Sequence, residues 1–411
     1  MNQMDFFKVV SIEEALCMMN EKFSDMRVES ETCHIRESLG RILSQDIVSA
    51  EDVPGFDRST VDGYAIKSED SHGASESIPS FLDMKGSVNM GEAADGEVKS
   101  GDAVYVPTGG MLPQGADCVI MIEYVEKLDE KTIAVHRPTS HLENVMRRGD
   151  DIKSAEVILK KGTRMEPAHI GVLAALGVSS VNVLKKLDFY IISTGDEVID
   201  LDEDMEYGKV RDINGYALEA LIKKMGGEVR GRSIVKDDFE LLKEEVSKGI
   251  DSADIILMSG GSSVGSRDFT SDVINSFGGE GVFVHGISIK PGKPTIVGKA
   301  SGKAVIGLPG HPVSSIFVFK SIVEEFARRL TGEIRNEEFV QAKMDANVHS
   351  SPGKRTYQMV KIGQYEGRTI AEPQFGKSGM ISLLSRAGGY IVMDKNTEGV
   401  EKGETVRVYR I

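Results

Sequence analysis

The stretch from residue 187 to residue 331 constrains the fold most, because short apolar runs alternate with helical segments along its whole length. A buried strand is predicted at residues 254–258, and Pro312 begins a long amphipathic helix. Another helix follows Asn214, which we predict to be its N-terminal cap. Neighbouring parallel strands need such helical crossovers. The pattern therefore predicts a doubly wound, mostly parallel α/β domain.

The rest of the chain has other patterns. Between residues 51 and 146, Gly, Pro, Ser and Asp are frequent and apolar runs are short, which predicts a β-rich module. The tail after Gly332 alternates apolar and polar residues without helical periods, so a separate small all-β domain is expected. Further helices are predicted at residues 11–23, where Ser11 and Glu14 have the spacing of a capping box, at residues 35–47, and at residues 165–178.

Charge and composition exclude several classes of protein. The formal net charge of −15 argues against a nucleic-acid-binding protein, since a phosphate backbone would be repelled over most of the surface. The three cysteines are too sparse for a disulfide framework or a zinc site. No stretch approaches the length of a membrane span, and the first residues do not have the pattern of a secretory leader. We expect a soluble cytoplasmic protein that does not bind membranes.

Several loops with chemical potential follow strands of the predicted α/β domain. The carboxyl ends of parallel strands meet at one edge of a sheet, where ligands bind. A glycine-rich loop begins at Gly260 and could cradle phosphate, although a tight strand–helix turn explains it equally well. Lys290 and Lys293 flank a Pro-Gly turn, so both could face one anion. Glu197 and Asp268 could hold Mg²⁺ against phosphate, with helix capping as the competing explanation for Asp268.

Two more polar loops lie in the β-rich module. Residues 56–65, FDRSTVDGYA, contain two carboxylates, two hydroxyls and a glycine, and residues 104–117 form a second loop rich in glycine and proline. A polar turn explains each of them without any function. The histidines have no spacing typical of a metal site.

The order of these motifs resembles one family, the molybdopterin molybdenumtransferases (MoeA and the gephyrin E domain). The resemblance covers essentially the whole chain and runs through FDRSTVDGYA, PTGGMLPQGAD, MRRGDDI, STGDE, GGSSVGSRD, IKPGKP and GLPGHPVSS in that order. It implies four regions. They are an elongated helical region at 1–50 and 147–186, the β-rich module at 51–146, the α/β molybdopterin-binding domain at 187–331, and a C-terminal β-barrel at 332–411.

The resemblance also implies an activity and a site. The family acts as a homodimer with a composite active site, and it inserts molybdate into molybdopterin-AMP with Mg²⁺ and release of AMP. The catalytic positions carried over are Asp62, Thr108, Asp151, Glu197, Asp237 and Asp268, of which Glu197 and Asp268 would bind the metal. The substrate-binding positions are Gly260, Gly261, Ser262, Lys290, Lys293, Pro309, Ser314, Arg355 and Ser378.

Alternatives stay open at this point. The chain could be a non-catalytic scaffold that kept the fold, although its acidic and lysine motifs are intact. It could also be a molybdopterin adenylyltransferase, but that enzyme shares only the α/β domain. Tungstate could replace molybdate, because the two oxyanions differ little in size and charge. We further expect contact with the molybdopterin adenylyltransferase or with molybdoenzymes that accept the cofactor.

Overall fold

The computed structural model describes residues 9–260, 269–335 and 337–411. The first helix, α1 (Ile12–Lys22), begins with a capping box in which the Glu14 backbone N–H donates to Ser11 Oγ at 3.1 Å. The Ser11 backbone N–H donates in return to Glu14 Oε2 at 2.7 Å. The prediction of this helix and its cap is confirmed. Its apolar face is buried in the core of the α/β domain.

Short strands from two separate stretches of chain pair next to α1. Strand β1 (Ser30–His34) pairs antiparallel with β12 (Ser180–Leu184), and β2 (Ile47–Val48) pairs antiparallel with β11 (Val157–Leu159). Helix α2 (Pro167–Ala175) confirms the helix predicted at residues 165–178.

The helix predicted at residues 35–47 is wrong. Only Ile35–Glu37 forms a 3₁₀ turn. Beyond it the backbone bonds to the returning chain: Gly40 N–H donates to the carbonyl of Met165 at 2.8 Å, and Leu43 N–H donates to that of Thr163 at 3.0 Å. Pairing with a distant segment has replaced the local helix.

The β-rich module is a six-stranded sheet with the order β7-β4-β6-β5-β9-β8, and β3 pairs with β10 beside it. Its apolar side chains form two buried clusters. Two 3₁₀ turns, Ser68–Ser71 and Ile122–Tyr124, connect its strands. The strands are β3 (Arg58–Ser59), β4 (Gly63–Ile66), β5 (Ser80–Ser87), β6 (Asp102–Val106), β7 (Cys118–Met121), β8 (Val125–Lys127), β9 (Thr132–Val135) and β10 (Val145–Met146).

The α/β domain has a six-stranded sheet with the order β16-β13-β17-β21-β20-β18. The first four strands are parallel. Strand β20 pairs antiparallel with β21, and β18 pairs antiparallel with β20. Its elements are β13 (Asp188–Thr194), β14 (Val198–Ile199), β15 (Val210–Arg211), α3 (Ile213–Lys224), β16 (Glu228–Val235), α4 (Phe239–Ser252), β17 (Ile255–Ser259), α5 (Phe269–Ser276), β18 (Gly281–His285), β19 (Ile289–Lys290), β20 (Ile296–Ala300), β21 (Lys303–Leu308), α6 (Pro312–Val318) and α7 (Glu324–Thr331).

Helices cover both faces of this sheet, as the doubly wound prediction requires. One face packs against α1, α3 and the long helix that starts at Pro312, and the other packs against α4 and α5. A π-helical segment, Phe319–Val323, joins α6 to α7. The helix ends at Gly332, whose φ of 63° is left-handed. None of the described helices is long and apolar enough to cross a membrane.

The C-terminal region is a barrel. The order β24-β25-β22-β28-β26 closes because β26 also pairs with β24, and β19 of the α/β domain adds to β24 outside the ring. The predicted fold class is therefore confirmed, from the doubly wound domain to the barrel. The elements are β22 (Phe339–Met344), β23 (Val348–His349), β24 (Arg355–Tyr365), β25 (Arg368–Pro373), α8 (Ser382–Arg386), β26 (Gly389–Met393), β27 (Gly399–Val400) and β28 (Thr405–Tyr409).

Candidate active site

Three parallel strands of the α/β domain end side by side and bring their loops together. Ser259, the last residue of β17, is in register with Ser193 of β13 and with Leu308 of β21. Gly260 follows with a φ of +116°, and a Cβ there would lie 2.1 Å from the carbonyl oxygen of Thr194. Only glycine lets the chain turn this closely across the end of β13.

Asp237 belongs to the same edge. It follows β16, the parallel neighbour of β13, and Thr194 Oγ1 donates a hydrogen bond to Asp237 Oδ1 at 2.5 Å. Asp238, rather than Asp237, caps α4 by accepting hydrogen bonds from two backbone N–H groups, both at 3.0 Å. Helix capping therefore does not explain Asp237, whose exposed carboxylate is held by Thr194.

Glu197 lies after β13 and is exposed. Its carboxylate folds back over the backbone, since a Cβ on Gly195 would lie 2.9 Å from Glu197 Oε2. The segment is tied down twice. Lys209 Nζ donates to the carbonyl of Asp196 at 2.7 Å, and Val210 N–H donates to that of Glu197 at 2.8 Å. Glu197 and Asp237 thus follow neighbouring strands at one edge.

Asn214 is a residue of this edge that sequence reasoning assigned to another role. The prediction that it caps α3 is wrong, because Asp212 is the cap and accepts from Gly215 N–H at 2.8 Å. The Asn214 side chain instead bonds to Ser259 and Gly310. No local signal distinguishes the two roles, because both partners lie far away in the sequence.

The turn formed by residues 290–293, called the lysine turn, packs against the helical segment that starts at Pro312 and carries Ser314. Gly292 has a φ of +124°, and a Cβ there would lie 2.6 Å from Val318 Cγ2 and 3.7 Å from the carbonyl oxygen of Ser314. Lys290 and Lys293 are exposed on the two sides of this glycine, while Ser314 is buried. The structure therefore brings the two lysines and the start of α6 together.

A loop of the barrel reaches the same helix start. Ser378 Oγ lies 3.1 Å from His311 Nδ1, and Val313 N–H donates to the Ser378 carbonyl at 3.1 Å. Pro309, in the loop between β21 and α6, is buried. Ser378 and Pro309 are thus near neighbours of the strand-end edge.

Arg355 has other partners. Its guanidinium forms ion pairs with Glu13 at 2.7 Å and with Asp394 at 3.1 Å. Burial works to lower the pKa of Arg355, but the nearby negative charges outweigh it and the pKa is raised. The residue lines a cleft of about 1670 Å³ between α1, α7 and the barrel.

The β-rich module carries a second group of predicted residues. Thr108 donates twice to Asp62 Oδ1, from its backbone N–H at 2.7 Å and from its hydroxyl at 3.1 Å. Asp151 is exposed, and its backbone N–H donates to the carbonyl of Val53 at 3.1 Å. Within the described parts of one chain, no hydrogen bond or ion pair joins Asp62 or Thr108 to the strand-end group.

Three predicted residues, Gly261, Ser262 and Asp268, lie outside the described residues. Across 9–260, 269–335 and 337–411, no three His, Cys, Asp or Glu side chains form a group that could hold a metal ion. Among the described residues, this edge offers the carboxylates of Glu197 and Asp237 as oxygen ligands for a cation.

Three family models match the chain. They are the MoeA N-terminal region (domain I and II) over residues 10–177, the "Probable molybdopterin binding domain" over residues 190–329, and the MoeA C-terminal region (domain IV) over residues 341–411. Together they cover the β-rich module, the α/β domain and the barrel.

Relatives and solved structures agree with these models. The chain is 30% identical to the molybdopterin molybdenumtransferase of Staphylococcus epidermidis, over 97% of this chain and 95% of the relative. It is 31% identical to the enzyme of the same name from Staphylococcus aureus, with the same coverage. A crystal structure of the molybdopterin biosynthesis MoeA protein from Pyrococcus horikoshii matches with a TM-score of 0.80 and 32% identity, over 98% of this chain and 100% of that one.

Proposed function

The chain belongs to the MoeA family, and we propose that it inserts molybdate into adenylylated molybdopterin with Mg²⁺ and releases AMP. Its family role is that of a molybdopterin molybdenumtransferase in molybdenum-cofactor biosynthesis. The oxyanion, the adenylylated form of the pterin and the Mg²⁺ dependence are the parts that we propose.

One arrangement supports this proposal: the α/β domain has carboxylates and a glycine turn at its strand ends and two lysines beside the helix that carries Ser314. Asp237 is fixed by Thr194, and Gly260 crosses the end of β13 so closely that a bound phosphate could approach the backbone. Lys290 and Lys293 concentrate positive charge in a chain of net charge −15. A dianionic oxyanion needs such local charge in an acidic protein.

The donors at this edge suit Mg²⁺. The ion prefers oxygen ligands and usually takes one or two carboxylates together with substrate phosphate. Glu197 and Asp237 are exposed carboxylates after neighbouring parallel strands, and Asp268 is the further ligand that we propose. When bound, Mg²⁺ would neutralise phosphate charge and make the AMP phosphorus more electrophilic.

The residues of the chain would then perform distinct tasks. Lys290 and Lys293 would hold the molybdate and leave one of its oxygens free to attack the AMP phosphorus. The bond between that phosphorus and the pterin phosphate oxygen breaks, AMP leaves with the attacking oxygen, and the molybdenum passes to the dithiolene sulfurs. Gly260, Gly261, Ser262, Pro309, Ser314, Arg355 and Ser378 are proposed to contact the substrates.

We infer that the second group acts together with a partner subunit. Asp62, Thr108 and Asp151 share no hydrogen bond or ion pair with the strand-end group among the described residues of one chain, and this supports a homodimer with a composite active site. We also propose a cytoplasmic location and contact with the adenylyltransferase or with molybdoenzyme acceptors. A scaffold role is the second candidate, and tungstate is the alternative substrate.

The test is direct. The purified protein is incubated with adenylylated molybdopterin, Mg²⁺ and either molybdate or tungstate, and AMP and metallated cofactor are measured. The proposal expects both products to form together and to depend on Mg²⁺. AMP release without cofactor formation would reject the insertion reaction, and a lack of both products would favour the scaffold.

A further inference from the structure

Asn214 joins the ends of two central strands through its side-chain amide. Its Nδ2 donates to Ser259 Oγ at 2.7 Å and to the carbonyl oxygen of Gly310 at 2.8 Å. The orientation of the amide is fixed by chemistry, because a backbone carbonyl can only accept a hydrogen bond. Both hydrogens of the amide are therefore used on loops that lie 45 and 96 residues away in the chain.

The environment of this amide is unusual for a residue that only stabilises a fold. Asn214 is 9% exposed, yet its Oδ1 is buried and has no hydrogen-bond partner among the described residues. Leaving a buried polar atom unpaired costs about 1–3 kcal/mol. A buried polar atom without a partner among the described residues calls for an explanation, and a functional role at the strand ends is one such explanation.

A second unpaired polar atom lies on the neighbouring strand end. Ser193 Oγ is also buried without a partner among the described residues, and Ser193 is in register with Ser259. Alternate residues of a strand face the same side of the sheet. Ser193 and Ser259 thus share the face with Phe189 and Leu257, which pack with Leu218 of α3.

The two loops that Asn214 joins are those that would receive the substrate. Gly260 begins the glycine-rich loop after β17, and Gly310 lies between β21 and α6. A Cβ on Gly310 would lie 3.7 Å from the Cα of Gly260, so the two glycines are in near contact. Asn214 lies in the first turn of α3 and bonds to both sides of this contact.

We propose that Asn214 is a positioning residue: it clamps the Gly260 turn to the Gly310 turn and so fixes the separation of the two strand ends where the substrate would bind. The substrate class, a pterin that carries phosphate groups, rests on the proposed function. The clamp itself concerns the protein before any substrate binds. Without this clamp, strands β17 and β21 would still form, but the distance between Gly260 and Gly310 would no longer be fixed.

The test uses Asn214→Ala in the full-length protein and Asn182→Ala as the matched control. Asn182 also forms a side-chain hydrogen bond, which its Oδ1 accepts from the Thr32 hydroxyl at 2.6 Å, but it lies in β12 of the N-terminal region. Hydrogen exchange is measured on peptides that cover residues 254–260 and 304–311 without substrate. The KM for adenylylated molybdopterin, kcat and the thermal midpoint are measured alongside.

The clamp predicts faster exchange in both peptides of Asn214→Ala and a KM raised about tenfold, because two hydrogen bonds are lost. We expect kcat to change little, and Asn182→Ala to behave like the wild type. Ser259→Ala should give part of the same effect, and adding it to Asn214→Ala should add little, since one bond is shared. That non-additivity distinguishes positioning from general destabilisation.

Each outcome decides the inference. Unchanged exchange in both peptides of Asn214→Ala would overturn it, whatever the activity. If that variant does not fold, Ser259→Ala, which removes one of the two bonds, provides the same exchange test. If the wild type has no transferase activity, the proposed function fails, but the exchange measurement still decides whether the clamp exists.

Discussion

The two groups of candidate residues are built in opposite ways. At the end of the α/β sheet, backbone sterics and buried bonds fix the described strand ends: Gly260 admits no side chain, and Asn214 is almost fully buried. In the β-rich module, Asp62 and Thr108 are exposed and bond mainly to each other. One group is held by the core of its domain, and the other is presented by a surface loop.

This difference indicates a division of labour. A rigid edge with little freedom to adapt suits the recognition of phosphate, whose geometry is fixed. The Asp62 carboxylate is exposed but is already oriented by the hydrogen bond from the Thr108 hydroxyl. Under the proposed function, the rigid group would bind the substrate phosphates, and the exposed group would be the part that a second subunit contributes.

The largest effect on activity is expected when one chain of the dimer carries a substitution in the first group and the other chain carries a substitution in the second. Asp62→Ala and Asp237→Ala should each inactivate a homodimer, because every site then lacks one carboxylate. If the variants are unfolded and refolded together, about half of the dimers are mixed by random pairing, and each mixed dimer has one intact site. Activity should return to about a quarter of the wild-type value, measured as AMP release.

The control for this experiment is each variant refolded alone. Subunit exchange is verified by mass-tagged chains. If exchange is complete and activity stays at the level of the parents, Asp62 and Asp237 serve the same site from one chain, and the composite site is rejected.

The second largest effect concerns the rigidity of the strand-end edge. Gly260→Ala places a methyl group 2.1 Å from the Thr194 carbonyl at a φ of +116°, so the turn must move. We expect a loss of at least about 3 kcal/mol in unfolding free energy, measured by urea denaturation, together with loss of activity.

Gly302→Ala is the matched control for this steric argument. Gly302 also has a positive φ, +85°, but a Cβ there would meet nothing within 4 Å. It should lose only the roughly 1–2 kcal/mol of a left-handed residue and keep its activity. Equal losses for the two variants would show that the close approach to Thr194 contributes nothing.

Features that depend on residues close together in the sequence could be predicted, and features that depend on distant residues could not. The capping box at Ser11 and Glu14 spans three residues, so the sequence contained the whole signal. Residues 35–47 were predicted as helix because their apolar spacing is helical. In the fold, Gly40 and Leu43 instead bond to a segment more than 100 residues away. Tertiary pairing there overrides local propensity.

The site shows the same limit. The alternation of strands and helices predicts parallel strands whose carboxyl ends share one edge, so the meeting of Thr194, Gly260 and Gly310 at that edge follows from the sequence. The role of Asn214 could not be predicted from the sequence. Asp212 and Asn214 are only two residues apart, and either residue type could cap the helix that begins there. The partners of Arg355, Glu13 and Asp394, likewise come from other parts of the chain.

A smaller effect is expected at the lysine turn. If Lys293 holds the oxyanion, Lys293→Ala should raise the molybdate concentration needed for half-maximal rate at least about tenfold, since a charge-assisted contact contributes roughly 1.5–3 kcal/mol. The KM for the adenylylated pterin should change much less. Lys160→Ala, which removes another exposed lysine outside the α/β domain, is the control. The opposite pattern would assign Lys293 to the phosphates.

The smallest effect is a change in stability, and it is expected at Asp117, a carboxylate of the β-rich module whose hydrogen bonds explain its presence. Asp117 lies in the second polar loop, and it accepts hydrogen bonds from the backbone N–H of Ser68 at 2.6 Å and from its hydroxyl at 3.0 Å. Asp117 Oδ2 also lies 3.1 Å from His141 Nδ1. Burial acts to raise the pKa of Asp117, but these contacts outweigh it and the pKa is lowered.

A lowered pKa in the folded state means that Asp117 stabilises the module above the pKa of the unfolded chain, and that this contribution is lost as pH falls through the folded pKa. Asp117→Asn should therefore cost about 1–2 kcal/mol in unfolding free energy at pH 7, after allowance for partial exposure, and progressively less below about pH 4. Asp95 is an exposed aspartate of the same module, and Asp95→Asn should leave the unfolding free energy unchanged both at pH 7 and at low pH. A cost for Asp117→Asn that stays constant from pH 7 to about pH 3 would mean that the amide is tolerated poorly for its shape, and that the charge of Asp117 does not contribute.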